Sequence, residues 1–113
     1  MAERFYNWNS ANIATWNKAR FPNNTGEKQR AKLAGEMIEF KQAVGREHKL
    51  EELADVFIAS AGLTRFGGHD KIIGAFICFI LNAQDDKGLL KYAVNKKMLK
   101  NIERQFDEQM HHI

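Results

Sequence analysis

Leu33, Met37, Phe40 and Val44 recur at steps of four, three and four, the mark of one continuous helical face. This pattern predicts a helix from about Glu27 to Val44, with Thr25 as its N-cap and Gly45 as its stop. A shorter helix is predicted upstream, from about Ser10 to Arg20, with Ile13, Ala14 and Trp16 as its apolar members. Phe21-Pro22 ends it, because the residue before a proline is pushed out of the α region, and the Asn-Asn-Thr-Gly run 23–26 is a turn. A third helix spans about Lys49 to Phe66 and stops at Gly67-Gly68; its first turns carry Glu51 and Glu52, where the helix dipole favours negative charge.

The fourth predicted helix, about Asp70 to Ala83, is apolar on every side, through Ile72, Ile73, Phe76, Ile77, Phe79, Ile80 and Leu81. Such a helix must be covered all round, so it is either the central core helix or part of a subunit interface. The fifth, about Lys87 to Met110, carries Val94, Met98, Ile102 and Phe106 along one stripe, with lysines beside it. The chain shows neither strand patterning nor an internal repeat. The expectation is an all-α bundle of about five helices with short connections, completed by oligomerisation.

Composition narrows the class. A length of 113 residues fits one domain, 1–113, and 44% apolar with 27% charged residues is ordinary for a soluble protein. The single cysteine, Cys78, lies in the apolar run FICFI; a buried thiol and a reducing compartment are expected. MAERFYNWNS lacks the basic-then-apolar pattern of a signal peptide. The most apolar stretch, Ile72 to Leu81, is too short to span a bilayer. A cytoplasmic protein with no membrane partner is expected. The net charge of +3 and a pI near 9.1 are compatible with nucleotide, nucleic acid or no anionic partner at all.

Asp55 interrupts the apolar run that begins at Leu53. Burying even a neutral polar group without a partner costs roughly 2–7 kcal/mol, and Asp is a poor helix-interior residue. Glu52 stands one turn earlier on the same face, since residues three apart are neighbours on a helix. The second helix holds a matching pair, Glu36 and Glu39, with Glu36 at the edge of the apolar stripe and Glu39 beyond it. The short connection from Gly45 to His48 favours antiparallel packing of the two helices, which can bring the four carboxylates to one spot. Their mutual repulsion calls for a cation. Lysine and arginine look sparse on these faces, so a divalent metal is the natural answer; Mg²⁺ takes oxygen ligands and retains waters. Single acidic pairs are common on solvated helix faces; two pairs on adjacent helices are less ordinary.

GEMIEF followed by EELADVFIASAGL resembles the all-α nucleoside triphosphate pyrophosphohydrolases, the MazG-like superfamily that includes dimeric dUTPases and dCTP pyrophosphatases. Its ExxE and ExxD pairs correspond to Glu36-Met37-Ile38-Glu39 and Glu52-Leu53-Ala54-Asp55. Arg20-Phe21-Pro22 and the run from Lys97 to Arg104, similar to the family's KxxxNxxR, add to the likeness. The resemblance covers roughly Trp16 to Phe66 and then Lys97 to Phe106. The interval between Asp55 and Lys97 is long, and Glu51, four residues from Asp55, competes with Glu52 for its place.

The resemblance implies an all-α fold and hydrolysis of a nucleoside triphosphate to the monophosphate and pyrophosphate. It also implies Mg²⁺, with Mn²⁺ as a substitute, and a homodimer or homotetramer with active sites at or near subunit contacts. On this reading Glu36, Glu39, Glu52 and Asp55 hold metal, which acidifies a water for attack on the α-phosphorus, and Glu39 is the expected base. Lys97, Asn101 and Arg104, at steps of four and three, share a helix face suited to a phosphate chain. Trp16 and Phe21, with Trp8 beside them as a candidate, offer flat surfaces for a base, although Trp16 at helical spacing from Ile13 also reads as core. Two other functions remain open: a small basic module that binds nucleic acid through the last helix, although nucleic acid is not the expected partner, and a catalytically silent interaction subunit.

Overall fold

The computed structural model describes residues 7–104. Among them are five α-helices and no strand: α1 (Ser10–Arg20), α2 (Gly26–Gln42), α3 (Arg46–Leu63), α4 (Gly68–Gln84) and α5 (Leu89–Glu103). Helix α3 is the hub, packing against each of the other four. Its run of Ala59, Ser60, Ala61 and Gly62, all buried, lets neighbours approach closely on several sides.

Local chemistry sets the boundaries. Asn9 caps α1 through a reciprocal pair with Asn12, its side chain accepting from the Asn12 N–H at 2.9 Å and its own N–H donating to Asn12 Oδ1 at 2.7 Å. Phe21 ends α1, as Pro22 requires. Thr25 caps α2 by accepting from the Lys28 N–H at 3.1 Å. The chain leaves α2 at Ala43, which is extended, two residues before Gly45. Gly45, expected to stop α2, instead sits at the N-cap of α3 with φ 90°, a conformation glycine adopts without strain. Helix α3 consequently starts and ends three residues earlier than its predicted 49–66. At the start of α5, the Asp85 carboxylate accepts from the Leu90 and Lys91 N–H groups at 3.0 and 2.9 Å, moving that start to Leu89. The predicted end of the fifth helix at Met110, and Phe106 on its stripe, lie outside the described residues.

Two packing expectations change. The enveloped helix is α3, whereas α4 buries only Gly74 and Cys78 and leaves Ile72, Phe76 and Phe79 largely in water. On α2 the buried line is Gln29, Leu33 and Glu36, with Phe40 partly covered and Met37 exposed; just past its end Ala43 is buried and Val44 exposed. The α2–α3 seam therefore keeps Leu33 and Phe40 of the predicted stripe but takes in Glu36 where Met37 was expected. Helix α5 buries Val94 and Met98 as expected, with Leu90, but takes in Asn101 where Ile102 was expected, and Ile102 faces water. The free Cys78 thiol is buried, and burial pushes it up to about 12, which leaves it unreactive. Among the described residues, no helix is long and apolar enough to cross a membrane.

Candidate metal centre

The seam between α2 and α3 carries Glu36 and Glu52 to facing positions, with Glu39 one turn along from Glu36. A carboxylate oxygen from each of Glu36, Glu39 and Glu52 lies within 4.8 Å of the others. Glu36 is buried, Glu52 half-buried and Glu39 exposed, so the group sits at the mouth of the seam. Asp55 is one turn beyond Glu52, and its side chain retains 21% exposure. Burial pushes its carboxyl up to about 6; the neighbouring Lys97 ammonium pulls the other way, and Glu36 and Glu52 add to the rise. Glu51 is exposed and stands outside the group.

Basic partners flank the acids. Lys97 Nζ is 3.4 Å from Asp55 Oδ2, Lys32 Nζ is 3.1 Å from Glu36 Oε2, and His48 Nε2 is 3.4 Å from Glu52 Oε1. The expectation that these faces lack lysine is thus corrected. Among the described residues, the Glu39 side chain has neither an ion-pair nor a hydrogen-bond partner, although its backbone carbonyl accepts from the Ala43 N–H at 3.0 Å. Glu52 Oε2 is fully buried and accepts no hydrogen bond, an arrangement that costs roughly 1–3 kcal/mol or more for a charged group. An orphaned carboxylate oxygen beside two further glutamates is the donor set of a hard cation: all oxygen, negatively charged and convergent. The residues present therefore fit a divalent metal.

A cleft of about 240 Å³ opens beside the carboxylates. Glu36, Glu39 and Asp55 line it, as do Trp16, Phe21, Asn101 and Arg104. Trp16 and Phe21 meet edge to face, with ring centroids 5.7 Å apart. Asn101 is buried and its amide donates weakly to Met98 Sδ at 3.6 Å; Arg104 caps the end of α5. Glu52 and Lys97 do not line the cleft but touch residues that do. Trp8 lies elsewhere, against a separate cavity with Phe57 and Val94. All nine residues proposed from the sequence thus fall in or against one region of the molecule, built by α1, α2, α3 and α5.

Three polar lining residues were not anticipated: Asn17, Gln29 and Lys32. Lys32 was legible as the fourth residue before Glu36. Asn17 and Gln29 were not, because their roles depend on contacts between elements. The Asn24 amide donates to Asn17 Oδ1 at 3.1 Å and to Gln29 Oε1 at 2.8 Å, and the Gln29 amide donates to the Ala59 carbonyl at 2.9 Å. One Arg65 guanidinium nitrogen donates to the Asn17 and Phe21 carbonyls and to Asn17 Oδ1, at 3.2, 3.0 and 2.9 Å. This network fixes the end of α1 against α3, and with it the two aromatic rings.

Comparison of the chain with known protein families, curated proteins and solved structures finds no match.

Proposed function

We propose that this chain is a Mg²⁺-dependent nucleoside triphosphate pyrophosphohydrolase of the MazG-like type, with Mn²⁺ able to substitute. The observation that carries the reading is the convergence of three glutamates from two helices within 4.8 Å, on a cleft that also holds aromatic and basic side chains. Glu36, Glu39, Glu52 and Asp55 would hold the ion, which supplies positive charge against the phosphates and makes a water acidic enough to attack at neutral pH.

The side chains divide the remaining work. Trp16 and Phe21 give the base a flat apolar wall. Arg104 and Lys97 meet the negative charge of the phosphate chain, and Asn101 orients it. Glu36, Glu52 and Asp55 each stand beside a basic side chain, which leaves Glu39 to accept the proton of the attacking water. Water adds at the α-phosphorus, the bond from that phosphorus to the bridging oxygen breaks, and pyrophosphate leaves with the bonding pair. The products are the monophosphate and pyrophosphate. Assembly as a homodimer or homotetramer and a place in the cytoplasmic nucleotide pool belong to the same proposal.

A panel of ribo- and deoxynucleoside triphosphates tests it by pyrophosphate release. The expected outcome is release with Mg²⁺, none with EDTA, and a loss of about 10²-fold or more in Glu39→Ala and Asp55→Ala. Full turnover in both variants would overturn the site assignment.

A further inference from the structure

Two basic side chains line the cleft, from different helices: Arg104 at the end of α5 and Lys32 on α2. Lys32 stands one turn before Glu36, and its Nζ is 3.1 Å from Glu36 Oε2. The two ends of this pair are unlike. The Glu36 side chain keeps 10% of its exposure and the Lys32 side chain 40%. On an open helix face a pair of this spacing contributes little. Here the acid is buried, so the ammonium offsets a charge that water reaches poorly. His48 and Lys97 stand in the same relation to Glu52 and Asp55, each at 3.4 Å. Lys32 makes the shortest of the three contacts, and of the three it is the one that lines the cleft.

We infer that Lys32 exchanges partners: in the metal-free chain its ammonium holds the Glu36 carboxylate, and once a divalent ion takes that carboxylate it turns to the phosphate chain of the substrate. This rests on the reading of the cleft as a metal and phosphate site, and adds to it a residue and a coupling. A divalent ion and an ammonium on one carboxylate repel each other, so they compete for Glu36. The displaced ammonium is not stranded. Its four-carbon stem is flexible and partly in water, and it sits on the wall of the cleft. A phosphate oxygen there returns the negative charge it lost, through a charge-assisted hydrogen bond.

The exchange works in both directions. A phosphate chain that draws Lys32 away leaves Glu36 free for the ion. Each ligand therefore eases the entry of the other, and the coupling is reciprocal. The site then favours a metal ion already carried by a polyphosphate over the free ion. Arg104 differs: among the described residues its side chain pairs with no carboxylate, so it meets phosphate without a change of partner.

Two probes that need no turnover test this on the full chain: Mn²⁺ alone, titrated by electron paramagnetic resonance, and inorganic tripolyphosphate, titrated by calorimetry as its 1:1 complex with Mg²⁺ and also without metal. Lys32→Met should bind Mn²⁺ about threefold to tenfold more tightly than the parent and the Mg²⁺ complex about tenfold more weakly. Lys32→Gln should repeat both shifts with a polar side chain, and Lys32→Arg should return both towards the parent. Lys28→Met, which removes an exposed charge one turn earlier on α2, should change either affinity by less than about twofold. In Glu36→Gln the ammonium has no carboxylate to hold. Metal-free tripolyphosphate should then bind several-fold more tightly than to the parent, and adding Lys32→Met should erase that gain. Unchanged affinities in Lys32→Met and Lys32→Gln overturn the inference, as do both affinities falling together or shifts matched by Lys28→Met. A gain in Glu36→Gln that survives Lys32→Met overturns the exchange as well. If the parent hydrolyses triphosphates while none of these shifts appears, the inference fails and the proposed function stands. If the shifts appear and no triphosphate is hydrolysed, the exchange stands and the proposed chemistry fails.

Discussion

Asp55 shows what one residue costs and returns. Its carboxyl, ordinarily near 3.8, is raised to about 6 by burial, with Lys97 opposing the rise. The folded chain thus holds this proton more tightly than the unfolded chain. The stability it contributes is fully present below about 3.8 and is lost as pH rises through about 6. Above that, in the absence of metal, ionised Asp55 is a net burden on the order of 2 kcal/mol, after discounting for its partial exposure. Metal-free Asp55→Asn should therefore melt above the parent at pH 7.5, and the two should converge near pH 4. Thermal melts in EDTA at the two pH values measure this; equal melting temperatures at pH 7.5 would contradict it. Lys97 holds the position of an internal counter-ion to the same carboxylate. Lys97→Met should bind Mn²⁺ several-fold more tightly without nucleotide, since roughly 1 kcal/mol of competing attraction is removed, yet turn over more slowly. Titration by electron paramagnetic resonance reads the first effect and pyrophosphate release the second.

At the scale of the helix, the number, order and type of elements were legible because capping and periodicity agreed. Pro22, Thr25 and the Gly67-Gly68 pair mark boundaries by local chemistry that needs no tertiary context. The register of the faces was less legible, for one physical reason in two places. Glu36 on α2 and Asn101 on α5 occupy seam positions, and the apolar residue that follows each of them, Met37 and Ile102, is left exposed. A hydrophobic pattern assigns the seam to the apolar neighbour, so it errs by one residue where a polar group has been taken inside. The two errors fall at the candidate site because that is where the fold gives up apolar packing for chemistry. The α3–α4 contact was legible only as an apolar run; its closeness depends on Gly74. A β-carbon there would run into the Ser60 carbonyl oxygen, a backbone atom that cannot swing aside, and would crowd Thr64. Gly74→Ala should cost about 1–3 kcal/mol, outweighing alanine's better helix propensity. A melting temperature equal to or above the parent's would show that α4 rides further from α3 than the structure places it.

For the molecule as a whole, the decisive feature is the distribution of charge rather than its sum. The net charge of +3 hides an acidic seam on one side and a row of exposed lysines, Lys87, Lys91, Lys96 and Lys100, along α5 and the loop before it. A nucleic-acid module would use that row and would bind with a steep inverse dependence on salt and none on Mg²⁺. The acidic seam makes the opposite demand. Glu36, Glu39 and Glu52 crowd together in the native state alone, because the unfolded chain has no way to hold α2 against α3. An ion that binds there binds the folded form and not the unfolded one, so it must raise stability, by about 2.7 kcal/mol at a hundredfold excess over its dissociation constant. Mg²⁺ or Mn²⁺ should therefore raise the melting temperature of the parent chain, EDTA should reverse it, and Glu36→Gln/Glu52→Gln should abolish the response while keeping the fold. Salt at equal ionic strength without a divalent ion separates this from simple screening of the acids. A parent chain whose melting temperature ignores divalent ions, and whose DNA binding weakens steeply with salt, would transfer the function from the seam to the lysine row.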